Sequence, residues 1–133
     1  MNKAALSLLS ICLLGAAPGL LSPTDAKATT ILSGPALRET ADSYRRFMAD
    51  DSRRVPEADV SKGAIFIGFV LGVANTLSSD SIRFLCIPAD VTDEKLPAIV
   101  LKYIDEHPGE SNRSGAELAS APLLAAYPCT RKP

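Results

Sequence analysis

The chain has 133 residues, 47% of them hydrophobic, with 14 basic and 15 acidic side chains and a net charge of −1. That balance excludes a polycationic nucleic-acid binder and a polyacidic trap, because both concentrate charge of one sign. The length allows one small domain and excludes a second.

Residues 1–28 read as a secretory signal peptide. Lys3 is a short positive start, Ala4 to Ala17 is an apolar run of about 14 residues, and small and turn-forming residues follow to Ala26-Lys27-Ala28. Spanning a bilayer as a helix takes roughly 20 residues, so no stable membrane anchor is expected. Cys12 follows Ile11 where a lipoprotein signal has a small residue, which argues against lipidation. Cleavage is expected after Ala28, with an earlier cut after Ala17 as the alternative. The mature domain is then 29–133, in the periplasm. Removal of Cys12 turns three cysteines into the pair Cys86 and Cys129. In an exported domain such a pair reads as a disulfide, since neither cysteine has a partner at metal-ligand spacing and there is no C-x-x-C.

Ser33-Gly34-Pro35 starts a first helix, with Ser33 as its cap. Leu37, Ala41, Tyr44, Phe47 and Met48 recur at helical spacing and form its apolar face, and the helix ends in the polar run before Pro56. A second helix is expected from about Glu57 to Leu77. Its centre, Ala64 to Ala74, is apolar nearly all round, which suits the middle of a bundle. Ala64, Gly68, Gly72 and Asn75 or Thr76 form a small-residue stripe on it, expected to admit a neighbouring backbone. A membrane-dimer reading of Gly68-x-x-x-Gly72 fails on the length of the apolar stretch.

Ser78 to Arg83 is a polar turn and Phe84 to Pro88 an extended connector carrying Cys86. Thr92 caps a third helix, with Asp93 and Glu94 in the first turn and Leu96, Ile99, Val100, Tyr103 and Ile104 on the buried face. Pro97 delays its regular start. His107-Pro108-Gly109 ends it. The last segment, Ser114 to Tyr127, carries Leu118, Leu123, Leu124 and Tyr127, and Gly115 and Pro122 predict a broken or kinked helix. The fold class is all-α: a small bundle of about four helices with one disulfide.

No catalytic, cofactor-binding or metal-ligating constellation emerges. His107, the single histidine, reads as a partner of the third helix's last carbonyls. There is no G-x-S-x-G elbow and no glycine-rich phosphate loop. The acidic Asp105 and Glu106 are the exception to bland readings, because negative charge in a last helical turn is disfavoured. Lys102 compensates in part. With Glu110 and Arg113 they form one candidate patch for a partner, and the turn holding Asp80 and Arg83 forms another. The reading is of a binding protein, not an enzyme.

One ordered set of motifs goes further: Gly68-Phe69-x-x-Gly72-Val73, Phe84-x-Cys86-Ile87-Pro88, Val91-Thr92, Tyr103-Ile104-x-Glu106-His107-Pro108 and Tyr127-Pro128-Cys129. In order and spacing it resembles the Rap/Tai family of periplasmic immunity proteins associated with type VI secretion, over roughly residues 60–129. The resemblance implies a helical, disulfide-bonded protein that neutralises a secreted effector, such as a peptidoglycan amidase, by occlusion. Members commonly carry a further cysteine just before the first motif glycine and another on the preceding helix. Here Phe66 holds the first place and the helix from Leu37 to Met48 has no cysteine, so one bridge is absent as a pair.

Two other readings stand beside it. The first is a small periplasmic chaperone or acid-stress protein that loosens as its carboxylates protonate; the second is a structural envelope component. A homodimer is left open.

Overall fold

The computed structural model describes residues 32–49, 55–110 and 112–130. The expected signal peptide, 1–28, and the polar run 50–54 lie outside them. Four α-helices make the fold: α1 (Gly34–Ala49), α2 (Glu57–Ser78), α3 (Lys95–Glu106) and α4 (Gly115–Ala126). No strand occurs among the described residues. Two isolated antiparallel bridges, Ser33 with Ser114 and Leu85 with Pro128, fasten the ends of α4 to the rest. The all-α bundle with one disulfide is the architecture found.

α1 starts as its sequence dictates, with the Ser33 hydroxyl accepting from the Ala36 N–H. Leu37, Ala41 and Tyr44 are buried, one turn apart along the helix. Met48 is not on that face: it is 61% exposed. Thr40 and Ser43, which the apolar pattern passes over, are buried instead.

Against α1 lies α2, through Gly63, Phe66, Val70 and Ala74. Gly63 is needed for the approach, since a Cβ there would sit 3.3 Å from the Tyr44 Cα. One turn on, the Phe66 ring meets that of Tyr44 at 5.3 Å and 35°. The small-residue stripe is corrected by the structure: a Cβ on Gly68 or Gly72 would meet nothing within 4 Å. They face an open groove and admit no neighbouring backbone. The helix also runs 22 residues, so by length and composition it is able to cross a membrane, and length does not dispose of that reading. One face alone is in the core: Phe66 and Val70 are fully buried, and Asp59 and Lys62 pair with Arg46 and Glu39 of α1. Only 22% of the apolar stretch is buried, so the expectation of a helix in the middle of the bundle is corrected to one packed along a single stripe.

α3 starts at Lys95, later than a Thr92 cap would place it, and Glu94 is its N-terminal neighbour. Pro97 thereby falls in the first turn, where its missing N–H leaves no helical bond unmade. Asp93 and Glu94 lie ahead of that turn, not in it. Leu96, Pro97, Val100 and Ile104 are buried.

α4 corrects the expectation of a break, because it runs continuously through Pro122. A reciprocal capping box starts it: the Ser114 hydroxyl accepts from the Glu117 N–H, and the Glu117 carboxylate accepts from the Ser114 N–H. Burial of Leu118, Ala119, Pro122 and Leu123 on one face holds the proline turn in place. Gly115 is a contact residue, not a breaker. Its N–H donates to the Leu32 carbonyl at 2.9 Å, and a Cβ would lie 2.7 Å from that oxygen.

Two glycine substitutions should therefore have opposite signs. Gly115→Ala forces backbone apart and is expected to destabilise by roughly 1–3 kcal/mol. Gly68→Ala, in open space within α2, is expected to stabilise by about 0.5–1 kcal/mol. Urea unfolding of the two variants reads both, and a gain for Gly115→Ala would refute the packing described.

The disulfide Cys86–Cys129, with Cα atoms 4.9 Å apart, joins the connector after α2 to the end of α4. Beside it, the Cys86 N–H donates to the Tyr127 carbonyl at 3.0 Å. Leu85 is buried between the two segments.

Candidate functional site

The first candidate patch forms where α3 ends and α4 begins. Helix termini leave carbonyls without partners, and here Arg38 of α1 reaches them, donating to the Ile104 carbonyl at 2.8 Å and the His107 carbonyl at 2.7 Å. Its cation sits where the helix dipole favours one. His107 behaves as its sequence position suggests, with Nδ1 2.9 Å from the Tyr103 carbonyl and its ring stacked on Tyr103 at 4.1 Å.

Glu110 and Arg113 close this cluster around Tyr103. The Tyr103 hydroxyl donates to Glu110 at 2.8 Å, and the Arg113 guanidinium donates to the same carboxylate oxygen at 2.8 Å. Those two donors hold the Glu110 carboxyl below its ordinary pKa, and the facing carboxylate raises that of the Tyr103 phenol. Asp105 is engaged too, by Arg45 of α1, which also binds Asp42. Glu106 is 3.8 Å from Lys102. The unfavourable charges at the end of α3 are thus answered by Arg38, Arg45 and Lys102. Arg38 and Arg45 act across 60 to 69 residues of sequence, which no local pattern reveals.

The second candidate, Asp80 and Arg83, lies apart from the first. Glu110 and Arg113 precede α4, whereas the connector bearing Arg83 is bonded to residues that follow it. Twelve helical residues separate those ends, about 18 Å at 1.5 Å per residue. Arg83 pairs with Asp80 at 3.1 Å, and both side chains are well exposed, at 74% and 98%. The polar reading of Ser78 to Arg83 misses exposed apolar groups there and just beyond: Ile82 in the turn is 38% exposed and Phe84, first residue of the connector, 58%. Between α2 and α4 runs a groove of about 540 Å³ lined by Gly68, Phe69, Gly72, Val73, Thr76, Leu77, Ala116 and Ser120. It carries no ionisable side chain. Among the described residues, no group of three or more His, Cys, Asp or Glu is placed to hold a metal.

Acid should loosen the contact between α1 and α2. Arg46 and Ser43 hydrogen-bond to Asp59 and bring its pKa down to about 2, and Lys62 lowers that of Glu39. A pKa lower in the folded than in the unfolded chain gives stability that is present above the unfolded value, near 4, and lost as pH falls toward the folded one. The melting temperature is expected to hold from pH 7 to about 5 and to fall progressively below about 4. Asp59→Asn should flatten that fall, and an unchanged acid profile in the variant would contradict the assignment.

The sequence profile of the Rap1a immunity proteins matches residues 39–129. The match begins within α1, covers α2, α3 and α4 completely and ends at the second cysteine of the bridge. No curated protein and no solved structure gives a match to the chain. With the matched region spanning most of the helical core, the α4 cap and both cysteines, the chain belongs to the Rap1a immunity protein family.

Proposed function

We propose that this chain is a periplasmic immunity protein that blocks a secreted cell-wall hydrolase, such as a peptidoglycan amidase, by covering its active site. Family membership carries the coarser part, an immunity protein directed at a secreted effector. The periplasmic part rests on the order of charge, apolar run and small residues in the first 28 positions. It rests also on the disulfide, a bond that persists in oxidising compartments. Occlusion requires only a complementary surface and no catalytic group.

The test is inhibition of peptidoglycan hydrolysis by the cell-wall hydrolases that the producing strain secretes, using the purified oxidised chain. Stoichiometric loss of hydrolysis is expected. Full activity at a large excess of the chain would refute the proposal.

A further inference from the structure

The connector between α2 and α3 carries an unusual combination. Arg83, with φ of 47°, is the one described residue other than glycine in the left-handed region. Non-glycine residues persist there when their surroundings over-determine them, and such positions cluster at functional sites. Bracing is evident on this connector. The Arg83 N–H donates to the Ser79 carbonyl at 2.9 Å, and the Phe84 and Leu85 N–H groups both donate to the Leu77 carbonyl, at 2.9 and 3.1 Å. Three residues beyond Arg83, Cys86 is bonded to Cys129.

This rigid base holds apolar side chains out in water. Ile82 and Phe84 flank Arg83, and both are exposed. Extended backbone sends alternate side chains to opposite sides; accordingly Leu85 is buried while Phe84 and Cys86 are exposed. Ile82, Arg83, Phe84, Cys86, Cys129 and Thr130 line a cleft of about 480 Å³. An exposed aromatic and an arginine on a pre-ordered loop are the residue types that dominate protein interfaces, and pre-ordering lowers the entropic cost of binding.

Charge selects the partner. The chain as a whole is slightly acidic, at −1, but among the described residues lining this cleft the one charged side chain is the cation Arg83. Asp80 is the one anion paired to the knuckle, through an exposed contact of a kind that contributes little. The Arg83 guanidinium is therefore able to exchange Asp80 for a carboxylate on a partner. The geometry points to the knuckle Ile82-Arg83-Phe84 as the surface that engages the secreted effector, at an apolar socket on the effector rimmed by carboxylates. This assignment rests on the immunity reading and selects one of its two patches.

Site-specific photo-cross-linking tests it in the full-length exported chain. Phe84→p-benzoylphenylalanine is compared with the same replacement at Ile65 on α2 and Met48 on α1, both exposed, while cells are challenged by siblings that secrete the effector. An adduct with a secreted hydrolase is expected from position 84, reduced at least tenfold by Arg83→Glu. Arg83→Gly, which relieves the backbone, should keep or raise the melting temperature while also reducing the adduct. Protection that persists while position 84 yields no adduct overturns the knuckle and leaves immunity standing. If the wild-type chain itself gives no protection, the immunity reading falls and the knuckle with it.

Discussion

Phe66→Ala is expected to destabilise the protein by about 3–5 kcal/mol, the usual cost of emptying an aromatic site in a closed core. Phe66 is fully buried, and its ring is held against Tyr44 by the close approach that Gly63 permits. Aromatic pairs add roughly 0.5–1.5 kcal/mol beyond the area they bury. The position also has a particular meaning in the resemblance to the Rap/Tai proteins, which places a bridging cysteine there and another on the preceding helix. In this chain an aromatic contact between α2 and α1 stands at that place. Total stability of a small domain is about 5–15 kcal/mol, so the variant should be marginal at 25 °C. A urea midpoint that drops with an unchanged slope is the expected observation. A loss below about 1 kcal/mol would show that the pair does not fasten the two helices.

Loss of the remaining bridge should be of comparable size. Cys86 and Cys129 are 43 residues apart, and closing such a loop removes about 4 kcal/mol of unfolded-chain entropy in the polymer model. Double replacement, Cys86→Ser with Cys129→Ser, measures this without leaving a free thiol. The effect should concentrate at the connector: amide exchange of Leu85 and Cys86 should accelerate before that of Val70 in α2, because local opening precedes global unfolding where buried contacts are fewest. Equal urea midpoints for the bridged and double-serine proteins would contradict the account.

The elements were legible where apolar spacing is unambiguous, and less so where composition masks direction. α1 shows its face because Leu37, Ala41 and Tyr44 alternate with charges, although Met48 lies on an exposed turn. α2 hides its face, since apolar residues occupy every side. Phe66, Val70 and Ala74 turn inward, whereas Gly68 and Gly72 are offset from that stripe by about 200° at 100° per residue. They consequently look onto an open groove. Gly115 and Pro122 misled for a shared reason: each reads locally as a helix breaker, but one is required by Leu32 and the other is buried in the core.

The candidate sites divide the same way. His107 and its carbonyl are four residues apart and were readable. The reach of Arg38 to Ile104 and of Arg45 to Asp105 depends on the bundle bringing α1 within arginine length of the end of α3, which a linear pattern does not contain. The left-handed Arg83 was equally hidden, because nothing about an arginine announces a positive φ.

Contact competition between siblings tests the central claim, periplasmic immunity, most directly. A strain lacking this gene should die when mixed with its parent. The full chain should rescue it, and a copy without residues 2–28 should not. Survival of the deletion strain at the parent's level, or full rescue by the leaderless copy, would contradict the account.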